Sequence, residues 1–172
     1  MRIKEYNREK AVEYANKWWL KRNPSYYNFD AIGGNCTNFA SQCLFYGAPV
    51  MNYTKDIGWY YKSANDRSAA WTGVEFFYNF LIANNPQNGE IGNGVGPFGI
   101  NSLKNGLKIG DFVQFGNISG EFYHTGIIVG FRATEPLIST NSANSYAKPV
   151  SLFVYDKIRY IKILGYKDYE LN

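Results

Sequence analysis

One histidine, His124, and two cysteines, Cys36 and Cys43, are all the imidazole and thiol this 172-residue chain has. A metal site built from His and Cys would consume nearly the whole stock, so no metal or cofactor is expected. Long apolar runs are missing too: no stretch of about 18 apolar residues is there to span a membrane. The amino-terminal MRIKEYNREKAVEYA carries charges throughout and lacks the apolar core of a signal peptide. A cytoplasmic protein is expected, unless another route exports it.

An excess of one charge is likewise absent from most of the chain. Lysine and arginine number 18 against 14 aspartates and glutamates, a net charge of +4. The first 22 residues hold seven basic and three acidic side chains and account for all of it, leaving 11 of each sign in the rest. A nucleic-acid binder shows a broader basic footprint. Neither nucleic acid nor membrane is expected as a partner, because Lys and Arg on one helix face are ordinarily just solvated.

Aromatic residues are abundant, at 18% (15 Tyr, 12 Phe and 4 Trp). They suit groove walls as well as a core. With 45% hydrophobic and 19% charged residues the composition is that of a folded protein. The length suits one domain, residues 1–172, and a monomer is expected. Folding a chain of this size buries roughly 70% of its unfolded surface, so no disulfide or metal staple is required.

Hydrophobic periodicity places an amphipathic helix over 8–22, with Asn7 as N-cap and a stop before Pro24. Trp18 and Trp19 on it are core or groove-wall residues. The loop NPSYYNFDAIGGN closes in a Gly33–Gly34 turn. CTNFASQCLFY then reads as a helix, capped by Asn35 and ended by Gly47, with Cys36 at its first position. A third helix is predicted over 73–84 from the capping box Thr72-x-x-Glu75. The Gly- and Asn-rich residues 84–106 read as a long mobile loop. Within it Gly94-Val-Gly96-Pro-Phe-Gly99 satisfies G-x-G-x-x-G, but it follows no strand and contains Pro97, so dinucleotide binding is not expected. Period-two patterning then predicts strands at 111–115, 123–131, 137–140 and 152–164, the last interrupted near Asp156. Helices first and an antiparallel sheet after make an α+β fold.

The strongest local feature is Gly-Gly-Asn-Cys-Thr-Asn-Phe at 33–39. A free thiol is only about 3% ionised at pH 7, so a nucleophilic cysteine needs help. A helix N-terminus supplies it, through unpaired N–H groups and aligned peptide dipoles. Two preceding glycines permit a sharp turn and close approach of substrate. A small apolar residue packed under the turn is the competing reading of Cys36. Seven helical residues separate Cys36 from Cys43 by roughly 10.5 Å, too far for a disulfide. Cys43 is therefore structural. His124 opens the strand YHTGIIVG, where an imidazole can face a cleft or merely cap. One histidine there and one cysteine at a helix mouth are what Cys–His nucleophilic catalysis needs. A third group should orient the imidazole. Asn141 in LISTNSAN is the first choice, with Ser139, Ser142 and Asn144 behind it and Asp111 as an alternative.

YNREKAVEYANKWW, RNPSYYNF, GGNCTNFASQCL, the Trp71-Thr72 helix start, GDFVQF, HTGIIVG and LIST together resemble the bacterial putative amidase domain family. That family belongs to the NlpC- and CHAP-like papain-fold superfamily, and the resemblance covers about residues 5–150. It implies N-terminal helices, one bearing the nucleophilic cysteine, packed on an antiparallel sheet that bears the histidine and a third polar residue. Matching motifs gives Cys36 as nucleophile, His124 as base and then acid, and Asn141 as orienter. By the same analogy an oxyanion donor comes from the loop before the cysteine: Tyr27, with Tyr26 and Asn28 equally near, beside Asn35. Trp59, Tyr60, Tyr61 and Trp71 are candidate groove walls, with core packing the alternative for Trp71. The family usually has Asp before its cysteine, where this chain has Asn35, and His-Thr on the third strand, where it has Asn141-Ser142.

These features point to an acyl-enzyme on Cys36. Water as second nucleophile makes an amidase or peptidase. An amine makes an amide-forming acyltransferase, acting for example on a peptide tethered by thioester to a carrier protein. An inactive papain-fold protein that binds peptides is the alternative from another class.

Overall fold

A computed structural model describes residues 1–91 and 94–169. Its elements in chain order are β1 (Arg2–Lys4), α1 (Arg8–Trp18), α2 (Cys36–Gly47), β2 (Tyr61–Ser63), β3 (Asp66–Arg67), α3 (Ala69–Thr72), α4 (Val74–Ala83), β4 (Gly96–Ser102), β5 (Phe112–Gly116), β6 (Phe122–Arg132), β7 (Glu135–Thr140), β8 (Ser145–Pro149) and β9 (Lys157–Asp168). Short 3-10 turns occupy Pro86–Ile91 and Val150–Leu152. The α+β expectation holds: helices near the amino terminus pack on an antiparallel sheet. Among the described residues no helix is long and apolar enough to cross a membrane.

Seven strands form the sheet in the order β1-β9-β5-β6-β7-β8, with β4 also on β9. All described pairings are antiparallel. Residues 160–167 of β9 pair with β4, while 157–161 pair with β5 and 166–168 with β1. Those overlaps put β4 along one edge of β9 and β5 then β1 along the other.

Each face of the sheet has its own core. Phe39, Ala40, Cys43 and Leu44 of α2 meet Phe77 and Leu81 of α4 and the strand residues Phe112, Ile127, Ile161 and Ile163. Trp59 and Trp71 close this core against Phe80 and Phe45. On the opposite face Val113, Phe115, Ile128, Ile138, Val150 and Tyr160 make a smaller cluster, covered by Phe153, Tyr155 and Ile158. The alternation Phe112/Val113 and Ile127/Ile128 between the two clusters is the period-two geometry of half-buried strands.

Several sequence expectations change. α1 ends at Trp18 rather than residue 22. Asn7 does cap it, accepting from the Lys10 N–H at 3.0 Å. The Thr72–Glu75 capping box does not form: Gly73 is the N-cap of α4, Thr72 closes α3, and Glu75 pairs with Arg159 at 3.1 Å. The predicted mobile loop contains β4, which is laid along β9 and begins inside the G-x-G-x-x-G match. Asn84 and Asn85, fully buried, donate their side-chain amides to the β4 region at Val95, Gly96, Pro97 and Gly99. Residues 92 and 93 of that stretch lie outside the described residues. The last strand begins after the turn, at Lys157, and runs on to Asp168.

Candidate active site

Gly33 and Gly34 both adopt positive φ, +102° and +95°, so the turn before α2 requires glycine. A Cβ on Gly34 would lie 3.1 Å from the Ser142 hydroxyl, which brings the loop after β7 against this turn. Cys36 follows at the first helical position. The residue is only 7% exposed. Its thiol lies 3.8 Å from the Thr37 hydroxyl, and the N–H groups of the helix start and of Thr125 act to lower its pKa. Burial outweighs these donors and raises the thiol pKa, so the resting form at neutral pH is the protonated thiol. Cys43, two turns on, is fully buried and unbridged, as the spacing implied.

Thr125 of β6 turns its hydroxyl toward α2, 3.0 Å from that of Thr37. His124, one residue earlier, turns the other way. Its ring stacks on Phe115 with centroids 6.0 Å apart and leans on Phe153 at 6.3 Å, both part of the second cluster. The β5–β6 register shifts here: Phe115 faces His124 and Gly116 faces Phe122, which leaves Tyr123 as a bulged extra residue. Bulges of this kind re-aim side chains next to functional sites. Burial, and after it the charge of Lys148, lower the His124 pKa to about 4, so the imidazole is neutral at pH 7. Among the described residues nothing hydrogen-bonds its ring nitrogens, and no buried nitrogen lacks a partner, so both nitrogens reach solvent. Thr37, next to Cys36, is thus tied to Thr125 of β6, while the imidazole of the preceding residue lies on the far side of the strand.

Asn141 is placed beside the cysteine rather than beside the histidine. Its carbonyl accepts from the Asn35 amide at 2.9 Å, and its own amide donates to the Trp18 carbonyl at 3.3 Å. It does not hold the imidazole in this structure. The two positions that depart from the amidase pattern, Asn35 and Asn141, are thus bonded to each other. Asn35 makes no side-chain cap of α2. Its carbonyl instead accepts from the Phe29 N–H at 3.1 Å and the Asn38 amide at 2.8 Å. Asp111 is excluded as orienter: it accepts from Arg8 at 2.6 Å and from the backbone N–H groups of Lys108 and Ile163.

Residue 27 is the exposed member of its loop. Tyr27 is 48% exposed, donates its N–H to the Tyr61 hydroxyl and gives its carbonyl to Asn38. Tyr26 instead stacks on Trp71 at 5.9 Å. Trp59 and Trp71 are wholly buried, their indole N–H groups bonded to Ser41 and Asn38, so neither lines an open groove. Sequence reasoning missed Thr125 and Gln114, which link the thiol's surroundings to the sheet. A polar residue at an inward strand position was the signal available for each.

The sequence profile of the putative amidase domain matches residues 5–164. The chain belongs to that family. The uncharacterized protein YhbB of Bacillus subtilis (strain 168) is 34% identical over 145 residues, which are 82% of this chain and 43% of YhbB. The chain thus spans less than half the length of that relative. No solved structure matches it. Among the described residues of this amidase-family chain, no three His, Cys, Asp or Glu side chains are grouped to hold a metal ion.

Proposed function

We propose that this amidase-family chain is a papain-like cysteine amidase that works through a thioester on Cys36. The observation that carries the reading is the thiol at the mouth of α2, whose neighbour Thr37 is bonded to Thr125 of β6, the residue next to the chain's one histidine. In the first half-reaction the Cys36 sulfur attacks the carbonyl carbon of an amide or peptide. His124 takes the thiol proton and passes it to the leaving nitrogen as the C–N bond breaks. Water then adds to the thioester carbonyl, with His124 taking a proton from it, and the acid leaves as the sulfur is released. The Cys36 backbone N–H at the helix start is the oxyanion donor, with Tyr27 the side-chain candidate beside it. An amine in place of water makes the acyltransferase instead.

His124 must come from the Phe115–Phe153 stack to the sulfur, a movement that needs the β6 backbone to shift at the Tyr123 bulge and not side-chain rotation alone. No hydrogen bond holds its nitrogens, so none has to break, and catalytic bonds commonly close only with substrate present. The low imidazole pKa keeps the ring in the form that accepts a proton.

Three observations favour a second reading, a papain-fold protein that binds peptides without turning them over. The thiol pKa is raised, the imidazole faces away from it, and Asn141 is occupied by Asn35. A 4-nitrophenyl acyl ester followed by intact mass separates the two. The amidase reading expects an acyl adduct on the wild type, none on Cys36→Ala, and a rate at least about 100-fold lower in His124→Gln. An adduct surviving in Cys36→Ala, or near-normal turnover in His124→Gln, overturns it.

A further inference from the structure

The layer between α2 and the sheet contains polar side chains that this reaction does not use. Gln114 of β5 is wholly buried at a position where its strand neighbours are apolar. Its orientation is fixed from one end, because a guanidinium only donates. Arg159 Nε lies 2.8 Å from Gln114 Oε1, so Oε1 is the acceptor. The other amide atom is then Nε2, which donates to the Val74 carbonyl at 2.9 Å and to Thr125 Oγ1 at 3.2 Å. Thr125 Oγ1 thus accepts from Gln114, which leaves its own proton available to Thr37 Oγ1, 3.0 Å away. Thr37 has one other partner among the described residues, the Cys36 sulfur at 3.8 Å, to which its proton can be given once the sulfur is ionised.

We propose that Arg159, Gln114, Thr125 and Thr37 form a one-way hydrogen-bond chain that aims a donor at the Cys36 sulfur and stabilises its thiolate. Arg159 anchors the chain. Its guanidinium pairs with Glu75 at 3.1 Å and lies between the rings of Tyr78 and Phe122, 3.6 and 3.9 Å from their centres. Hydrogen bonds that run in one direction polarise one another, and a donor to the charged form favours that form. The chain therefore opposes the burial that holds the thiol protonated. Among the described residues no other charged group is joined to it: α1 turns Tyr14 toward α2 with its hydroxyl on Gln42, and β6 carries His124 on its far side. Helix α3 has no titratable side chain, α4 brings Glu75 in its pair with Arg159, and Glu135 of β7 is taken by Arg132 and the Ser151 N–H. Gln114 and Thr125 are positioning residues, since neither touches the sulfur through its side chain.

The inference deepens the reading of Cys36 as nucleophile, but its test uses no substrate, so the two fail separately. Iodoacetamide alkylation of the full chain is followed against pH and read at the Cys36 peptide by mass. Gln114→Leu and Thr125→Val break the chain at two links. Each should move the alkylation midpoint up by about one pH unit, a tenfold smaller thiolate fraction at neutral pH, equivalent to about 1.4 kcal/mol. Thr125→Ser keeps the hydroxyl and should restore the wild-type midpoint. A midpoint that stays put in folded Thr125→Val, or that moves as far in Thr125→Ser, overturns the proposal.

Discussion

The two faces of the sheet solve opposite problems with the same strands. On the face under α2 and α4, every polar side chain is tied to another: Gln114, Thr125, Thr37, Asn35, Asn38 and Asn141 are buried and bonded. Nothing there turns without breaking a partner. On the other face His124 rests between aromatic rings with its nitrogens free, under a cover of short turns and Phe153 and Tyr155. The comparison teaches where the proposed reaction gets its order and its motion. The sulfur side is held by hydrogen bonds and the base side by stacking alone, so the movable partner of the pair is the imidazole.

Truncating one ring on each face of β5 tests that difference most strongly. Phe112→Ala, in the helix-covered core against Phe77 at 5.3 Å, should cost about 3–5 kcal/mol in chemical denaturation. Phe115→Ala should cost less, about 2–3 kcal/mol, because Phe153 and Tyr155 can settle into the space. It should also raise the His124 pKa, read by NMR, as water reaches the ring. Equal costs would mean that the second face is no looser than the first.

A smaller effect follows from the imidazole itself. Its folded pKa of about 4 lies below the 6.5 of an exposed histidine, so the unfolded chain binds the proton first. Stability contributed by the neutral ring is complete above about pH 6.5 and is lost as pH falls toward 4, by at most about 3 kcal/mol. Wild type should therefore lose more stability than His124→Gln across that window, and parallel curves would place the ring in water. Smallest of all, Lys148→Gln removes the cation whose field helps keep the ring neutral and should raise the His124 pKa. No change would leave burial as the whole cause.

Much of this was legible in sequence because it is local. Gly33-Gly34 before Cys36, the apolar stripe Phe39–Leu44, and the alternation through Ile127 and Ile128 each fall within one element, and each took the form expected. What escaped depends on distant partners. Glu75 looked like a helix cap because Arg159, which claims it, lies 84 residues away. Asn141 looked like an orienter because nothing nearby announces Asn35, 106 residues back. β4 looked like a loop because its pairing with β9 uses backbone, and glycine and proline at its start mask the strand pattern. His124 faces the side opposite Thr125 by the ordinary alternation of β6, and what sequence does not announce is the bulge at Tyr123, where the β5–β6 pairing shifts register.

β9 gathers pairings from β1, β4 and β5, strands that precede it by 41 to 155 residues measured from Gly116 to Lys157 and from Arg2 to Lys157. Such long-range closure is slow to form. It also sets an order on synthesis. Until the ribosome has released Arg159, β1 and β4 have no place in the sheet and Gln114 has no cation to orient it. A growing chain therefore carries Cys36 before the Arg159 end of its hydrogen-bonded network exists, and that network closes only as β9 docks.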